Sequence, residues 1–76
     1  MDYRQTVAKN LKQIRKQRRL TQMQVSLALG KFDQNTLSCW ETGSREPDLN
    51  TVGLLADFYG VSVDYLFGRE TPKTNL

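Results

Sequence analysis

Apolar side chains near the start of the chain recur at helical intervals. They follow one another at spacings of four, four and three residues, at Tyr3, Val7, Leu11 and Ile14. This spacing puts the apolar residues along one side of an α-helix, with lysine and glutamine side chains on its other sides. The pattern predicts a first helix over about residues 4–18. Arg18 and Arg19 would then meet the negative end of its dipole.

A capping signal marks the start of a second helix. Thr21 and Gln24 have the spacing of a capping box, in which each side chain bonds the backbone N–H of the other residue. An apolar run follows, and Gly30 is placed to end the helix in a left-handed conformation. The sequence therefore predicts a helix of only two turns between Thr21 and Gly30.

A third helix follows after a short turn. Asp33 is a suitable N-cap, which predicts a helix over about residues 34–41. Leu37 and Trp40 lie one turn apart on it and are expected to face the core. The segment from Thr42 to Pro47, which contains Gly43, is predicted to be a loop.

The last two predicted helices have the same kinds of boundary. Asp48 caps the fourth helix, and Gly60 ends it. The apolar side of this helix comprises Val52, Leu55, Ala56 and Tyr59, flanked by Leu49 and Phe58. Ser62 caps a short fifth helix over residues 63–67. We therefore expect five helices in all.

These elements predict an all-α fold. The hydrophobic pattern contains no run with the period of a β-strand. Five short helices with tight connections predict a compact domain over residues 4–68. The polar segment 69–76, which contains Pro72, is predicted to be a mobile tail.

Composition removes several classes of function. The chain has 76 residues, no histidine and a single cysteine, Cys39. These counts exclude zinc fingers, internal disulfides and Ser-His or Cys-His catalysis, so we expect neither an enzyme nor a metal or other cofactor. The sequence also has no apolar stretch of membrane-spanning length and no signal peptide, which predicts a cytoplasmic protein without a membrane partner.

Charge is unevenly distributed. Residues 1–20 hold seven lysines and arginines against one acid, whereas residues 21–76 hold four against seven acids. A basic segment of this kind favours a polyanionic partner, although a solvated helix surface gives the same pattern.

The second and third helices together predict a helix-turn-helix. Two short helices meet at a tight glycine-containing turn, and the second helix begins with the amides Gln34 and Asn35. The major groove of B-DNA admits one α-helix, and such amides pair with two atoms of adenine. Base-reading residues lie at the N-terminal end of the recognition helix, where these two amides stand.

Residues from about 7 to 68 resemble the Cro/C1-type helix-turn-helix family, also called the XRE family. The matching stretches are Ile14-Arg15, Leu20-Thr21-Gln22, Leu29-Gly30, residues 37–43 (LSCWETG), Pro47 and residues 59–66 (YGVSVDYL). The resemblance implies a fold like that of the lambda and 434 repressors. It further implies sequence-specific binding of double-stranded DNA by a transcriptional regulator, usually a repressor that acts as a homodimer on a pseudo-palindromic operator.

The resemblance also implies roles for individual residues. The base-reading positions are Gln34, Asn35, Ser38 and Cys39, of which the last two reach either bases or phosphate. The positions near the DNA phosphates are Gln22, Lys31, Thr36, Thr42, Ser44 and Arg45. Lys31 and Arg45 are equally compatible with solvated side chains. Gln22 is further expected to brace the first base-reading residue, and Arg15 with Glu41 to form a buried structural pair.

Two positions depart from the family pattern. The interval from Gly30 to Leu37 is one residue longer than usual, with Phe32 in the apolar place and Lys31 as the extra residue. This leaves the register of the base-reading residues open by one. Ser26 replaces a small apolar residue, and its hydroxyl is expected to bond a carbonyl of its own helix.

Other interpretations stay open at this point. An antitoxin-like or adaptor module would act through a protein partner instead of DNA. Cys39 is expected to be a small residue that fits a groove, the alternative being an oxidant-sensing thiol. The dimer surface is not evident, and the candidates for it are Tyr59, Tyr65, Leu66 and Phe67.

Overall fold

The computed structural model describes residues 3–69, and this part of the chain is helical without any strand. The five helices are α1 (Arg4–Gln17), α2 (Gln22–Leu29), α3 (Gln34–Thr42), α4 (Leu49–Tyr59) and α5 (Val63–Leu66). The predicted all-α fold with five helices is confirmed. Three predicted ends are wrong by one residue, because α1 ends at Gln17, α3 extends to Thr42 and α5 ends at Leu66. The predicted tail lies outside the described residues except for Arg69.

Side-chain caps begin four of the helices. Thr21 and Gln24 form both bonds of the predicted capping box at α2. The other caps are Asp33, Asp48 and Ser62, which accept the backbone N–H of Thr36, Thr51 and Tyr65 respectively. Each cap satisfies an amide that has no acceptor within its own helix, and so fixes where the helix starts.

The end of α1 has an unusual backbone conformation. Arg19 has a φ of 60°, the left-handed region that glycine usually occupies. The N–H of Arg19 donates to the carbonyl of Lys16, and the N–H of Leu20 donates to the carbonyl of Arg15. These two bonds form a Schellman motif without glycine. The predicted position of the two arginines at the helix end is correct, but Arg18 donates to the carbonyl of Tyr59 at 2.9 and 3.2 Å.

The core lies where α1 packs against α3 and α5. Its most completely buried large side chains are Ile14, Val25, Leu55 and Leu66. Trp40 is also buried, as predicted, and its ring meets that of Phe32 edge-on with 4.9 Å between centroids. No helix in the described part of the chain is long and apolar enough to cross a membrane.

Two expectations about apolar residues are wrong. Tyr59 and Leu66, candidates for a dimer surface, are 4% and 0% exposed because α1 covers the region where α4 and α5 meet. Tyr65 and Phe67 are half-buried against the same core. Leu49, expected beside the buried side of α4, is 78% exposed because the first turn of α4 borders an open cleft.

Candidate nucleic-acid interface

The turn between α2 and α3 sets the relative position of the two helices. Gly30 ends α2 with a φ of 72°, as predicted. Phe32 occupies the apolar place expected of it and packs on Trp40, so the extra residue Lys31 is accommodated at the surface. The ammonium group of Lys31 lies 5.9 Å from the centroid of the Phe32 ring, within range of a cation–π contact.

Ser26 stabilises this turn in a way that the sequence did not indicate. Its hydroxyl donates to the carbonyl oxygen of Phe32 at 2.6 Å. The expectation that it bonds a carbonyl of its own helix is therefore wrong. The reason is that the lengthened turn brings the Phe32 carbonyl within reach. This carbonyl accepts no backbone N–H of a helix, so it is available to the serine hydroxyl.

The first turn of α3 presents the predicted base-reading amides. Gln34 and Asn35 are exposed, and neither side chain hydrogen-bonds to another residue between positions 3 and 69. Ser38 and Cys39 lie one turn further along and are half-buried. The amides at the start of α3 are therefore the most accessible of the four.

Thr36 has a second role at the same helix start. Its backbone N–H donates to the Asp33 carboxylate at 2.8 Å. This bond favours the charged form and holds the pKa of Asp33 below its usual value. The backbone N–H of Thr36 is thus the group that the cap satisfies.

The loop after α3 is fastened to the end of the helix. The carbonyl oxygen of Cys39 accepts three donors: the hydroxyl of Thr42 at 3.2 Å, the hydroxyl of Ser44 at 3.4 Å and the backbone N–H of Arg45 at 3.3 Å. Gly43 allows the chain to turn here, with a φ of 81° and the Gln5 amide where a β-carbon would lie. All three predicted loop residues of the interface therefore surround one carbonyl, and the Arg45 side chain is exposed.

A charged cluster joins α1, α2 and α3 behind this surface. Arg15 donates through Nε to Oε2 of Glu41 at 2.7 Å and through Nη2 to Oε1 at 2.9 Å. Its Nη1 also donates to the carbonyl of Leu20 at 2.7 Å. The two side chains are 11% and 6% exposed, and the hydrogen bond to Glu41 raises the pKa of Arg15. Burial and the nearby Glu41 carboxylate raise the pKa of Tyr59 to about 12.

Gln22 belongs to the same cluster. Its Nε2 donates to Oε1 of Glu41 at 3.1 Å. The expected brace to Gln34 is not formed between these described side chains, because Gln22 bonds Glu41 in the last turn of α3, whereas Gln34 stands in the first turn. Gln22 nevertheless stands at the first position of α2, as predicted.

Sequence reasoning missed several polar contacts. They are the bond of Gln22 to Glu41, that of Ser26 to Phe32, that of Arg18 to Tyr59, and that of Asn10 to the carbonyls of Tyr65 and Leu66. Asn10 offered a signal, because it lies three residues after Val7 on the buried side of α1. A polar residue at such a position needs a buried partner.

The described residues include no group of three or more Cys, Asp or Glu side chains that could hold a metal ion. The carboxylates of Asp33 and Asp48 serve as helix caps, and that of Glu41 pairs with Arg15. The chemistry of the surface is therefore that of amides, hydroxyls and cations.

Comparison with known proteins gives a consistent result. A family model described as Helix-turn-helix matches residues 11–66. The chain is 39% identical over 64 residues to the uncharacterized HTH-type transcriptional regulator YqaE of Bacillus subtilis (strain 168), covering 84% of this chain and 54% of that protein. It is 37% identical over 71 residues to the HTH-type transcriptional regulator ImmR of the same organism, covering 92% and 55%.

The fold is also similar to a solved structure. The DNA-binding domain of BldD from S. venezulae superposes with a TM-score of 0.77 at 30% identity, covering 87% of this chain and 97% of that domain. The chain spans about half the length of the curated relatives it matches. The similarity therefore concerns the helix-turn-helix part of those relatives.

Proposed function

Because this chain belongs to the Cro/C1-type (XRE) helix-turn-helix family of DNA-binding transcriptional regulators, we propose that it binds a specific operator in double-stranded DNA and represses transcription. The observation that carries the proposal is the accessible pair of amides, Gln34 and Asn35, in the first turn of α3. Amides at this end of a recognition helix meet base edges in the major groove. The site of action would be the cytoplasm, where the thiol of Cys39 stays reduced.

Direct base reading is assigned to Gln34 and Asn35, supported by Ser38 and Cys39 one turn later. The exposed amides are free to pair with adenine, since neither is used within the described part of the protein. The half-buried Ser38 and Cys39 leave room for a close approach of the DNA. In this arrangement Cys39 is a small surface residue and needs no redox role.

Phosphate contacts are assigned to both ends of the helix-turn-helix. Along the chain, Gln22, Lys31 and Thr36 come before α3 or in its first turn, and Thr42, Ser44 and Arg45 come at its end or after it. Lys31 and Arg45 are exposed cations in the two segments that flank α3. Charges there would hold the DNA backbone on either side of the helix, as positioning contacts that carry no sequence information.

A dimer would supply the specificity that one helix lacks. A single recognition helix reads only a few base pairs, so useful selectivity requires two copies on a pseudo-palindrome. Their half-sites would lie about 10 bp apart or a multiple of that. The proposal needs no cofactor and no catalytic step.

The direct experiment is selection of bound duplexes from a random pool, followed by titration of the selected duplex at several salt concentrations. We expect the selected sequence to be an inverted repeat. We also expect the affinity to fall steeply with salt, by about 0.9 logarithmic units per neutralised phosphate for each tenfold rise in salt concentration. The double variant Gln34→Ala/Asn35→Ala is the matched control. Once circular dichroism has found it folded, it should show no preference for the selected sequence. Failure to enrich any sequence would contradict the proposal.

A second candidate function rests on exposed apolar side chains of α2. Met23 and Leu27, one turn apart, are 48% and 73% exposed. Such a pair favours an antitoxin-like or adaptor module that acts mainly through a protein partner. An adaptor would tolerate loss of Gln34 and Asn35 but not Leu27→Gln, and a regulator would show the opposite dependence.

A further inference from the structure

We propose that Glu41 is a positioning residue for DNA binding, which acts by fixing the side-chain amide of Gln22 at the start of α2. The inference rests on the proposed function, since it concerns how the protein would meet a phosphate of the DNA backbone. It assigns to the Arg15–Glu41 pair a part in binding beyond its structural role.

The geometry fixes the orientation of the Gln22 amide. Oε1 of Glu41 accepts from Nη2 of Arg15 at 2.9 Å and from Nε2 of Gln22 at 3.1 Å. A carboxylate has no proton to donate, so the side of the amide that faces it is the NH2 group and not the carbonyl. The Glu41 carboxylate is itself held by two bonds from Arg15 and is 6% exposed. The amide of Gln22 is therefore attached to a rigid acceptor.

This orientation leaves a donor for the DNA. One hydrogen of the Gln22 NH2 group is used by Glu41, and the second points away from the carboxylate. Gln22 is the first residue of α2, where the leading backbone amides have no acceptor within the helix. The Thr21 hydroxyl already accepts the backbone N–H of Gln24, so the donors suited to a phosphate oxygen are the side-chain hydrogen and the backbone N–H groups of Gln22 and Met23. If the amide turned over, its carbonyl oxygen would face the phosphate and repel it.

Arg15 makes a carboxylate tolerable at this position. Glu41 alone would oppose a phosphate that binds on the far side of Gln22. The guanidinium of Arg15 belongs to a residue that is 9% exposed, and it bonds both carboxylate oxygens, so it offsets that charge locally. The pair thus supplies the Gln22 amide with an acceptor while adding little net negative charge to the surface.

The test uses a charge-matched control. In Glu41→Gln one of the two carboxylate oxygens becomes an NH2 group, which cannot accept, so the side chain cannot keep all three bonds that Glu41 receives from Arg15 and Gln22. We expect this variant to bind the selected duplex about 3- to 10-fold more weakly, although it removes a negative charge. Glu46→Gln removes the same charge from an exposed residue of the loop after α3 and should bind equally or more tightly. Stronger binding by both variants would overturn the proposal.

A double-variant cycle separates positioning from general stability. Gln22→Ala should weaken binding about 3- to 10-fold in the native chain and less than about 2-fold in the Glu41→Gln background. Equal losses in the two backgrounds would mean that Glu41 acts only on the fold. Binding is compared where circular dichroism finds every variant folded.

A measurement on the native chain covers the case in which Glu41→Gln does not fold. In a proton–nitrogen NMR spectrum, one side-chain NH2 proton of Gln22 should be shifted by the carboxylate, relative to the exposed Gln13. Added duplex should then move the other proton. Two Gln22 protons with the shifts of Gln13 would overturn the proposal, as would a duplex that moves neither. Absence of any duplex binding would instead overturn the proposed function as well.

Discussion

The hydroxyl of Ser26 in α2 lies 2.6 Å from the carbonyl oxygen of Phe32, in the turn that leads to α3. This bond connects the two departures from the family pattern, because the serine meets a carbonyl that belongs to the lengthened turn. A small apolar residue at position 26 would leave the Phe32 carbonyl without this donor. The extra residue in the turn and the serine in α2 are thus physically coupled.

Ser26→Ala should destabilise the protein by about 1–3 kcal/mol, since it leaves a carbonyl in a partly buried turn without its partner. Urea unfolding followed by circular dichroism measures this change. Ser38→Ala is the matched control, because it makes the same change of helix propensity in α3, where the serine hydroxyl bonds no other described residue. Equal stability of the two variants would contradict the assigned role of the Ser26 hydroxyl.

Arg19→Gly should stabilise the protein, by about 0.5–1 kcal/mol. The left-handed conformation at φ 60° costs an arginine roughly 1–2 kcal/mol, which the entropy of glycine in the unfolded chain offsets only in part. Lys16→Gly replaces an exposed residue within α1. It should instead destabilise the protein, lowering the free energy of unfolding by about 1 kcal/mol. Melting temperatures of the two variants test the contrast, and destabilisation by both would refute the strain argument.

Glu41→Ala should destabilise the protein by about 3–5 kcal/mol, because it leaves the buried guanidinium of Arg15 without its counter-charge. Combining it with Arg15→Met should recover much of the loss, since the uncompensated charge is removed as well. Urea unfolding of both single variants and the double variant gives the coupling between the two residues. Losses that simply add would show that the pair does not act as a unit.

Stability should fall in acid through the two aspartate caps. The pKa values of Asp33 and Asp48 lie below the ordinary 3.8, chiefly because each carboxylate accepts a backbone N–H, from Thr36 and Thr51 respectively. A lowered pKa in the folded state gives stability that is present above 3.8 and is lost as pH falls through the folded value. The melting temperature should therefore drop in this range.

The control for this acid effect is a neutral cap. In the double variant Asp33→Asn/Asp48→Asn, each asparagine accepts the same backbone N–H but does not titrate. The melting temperature of this variant should therefore fall less steeply in acid. Asp57→Asn, in the last turn of α4 where it caps no helix start, should leave the dependence as it is. A double variant as acid-sensitive as the native chain would exclude the caps as the cause.

Gln34 and Arg45 should affect DNA binding in different ways. Gln34→Ala should relax the preference at one position of each half-site, by about 1–3 kcal/mol of discrimination. Arg45→Ala should weaken binding to all duplexes evenly. It should also reduce the slope of log affinity against log salt concentration by about 0.9 for each phosphate that the arginine neutralises. Titrations of the selected duplex and a scrambled one, at several salt concentrations, distinguish the two. If Gln34→Ala weakened binding to both duplexes equally, Gln34 would not be a base-reading residue.

Most of the fold was predictable from the sequence because its signals are local. Caps such as Thr21 and Asp33, and the left-handed Gly30, act within one turn of the residue that defines them. The end of α1 was harder to predict, because Arg19 adopts a conformation that its residue type disfavours. The exposure of Leu49 depends on what packs over the first turn of α4, which no periodicity in α4 reports.

The candidate site was predictable in its exposed residues and less so in its connections. Helical spacing alone places Gln34 and Asn35 on the surface of α3. The bond between Gln22 and Glu41 spans nineteen residues and depends on how α2 and α3 cross. The choice of acceptor for Ser26 depends on the path of the turn, which one extra residue changes. Such contacts follow from tertiary geometry and not from the local pattern.

The three bonds to the Cys39 carbonyl have a thermodynamic consequence for association. They hold the loop after α3 in one conformation before any partner arrives, so little backbone entropy remains to be lost there when a partner binds. Binding through this loop should resemble the docking of a preformed surface, with a smaller heat-capacity change than a segment that folds on contact. A partner would therefore meet a loop whose shape already exists.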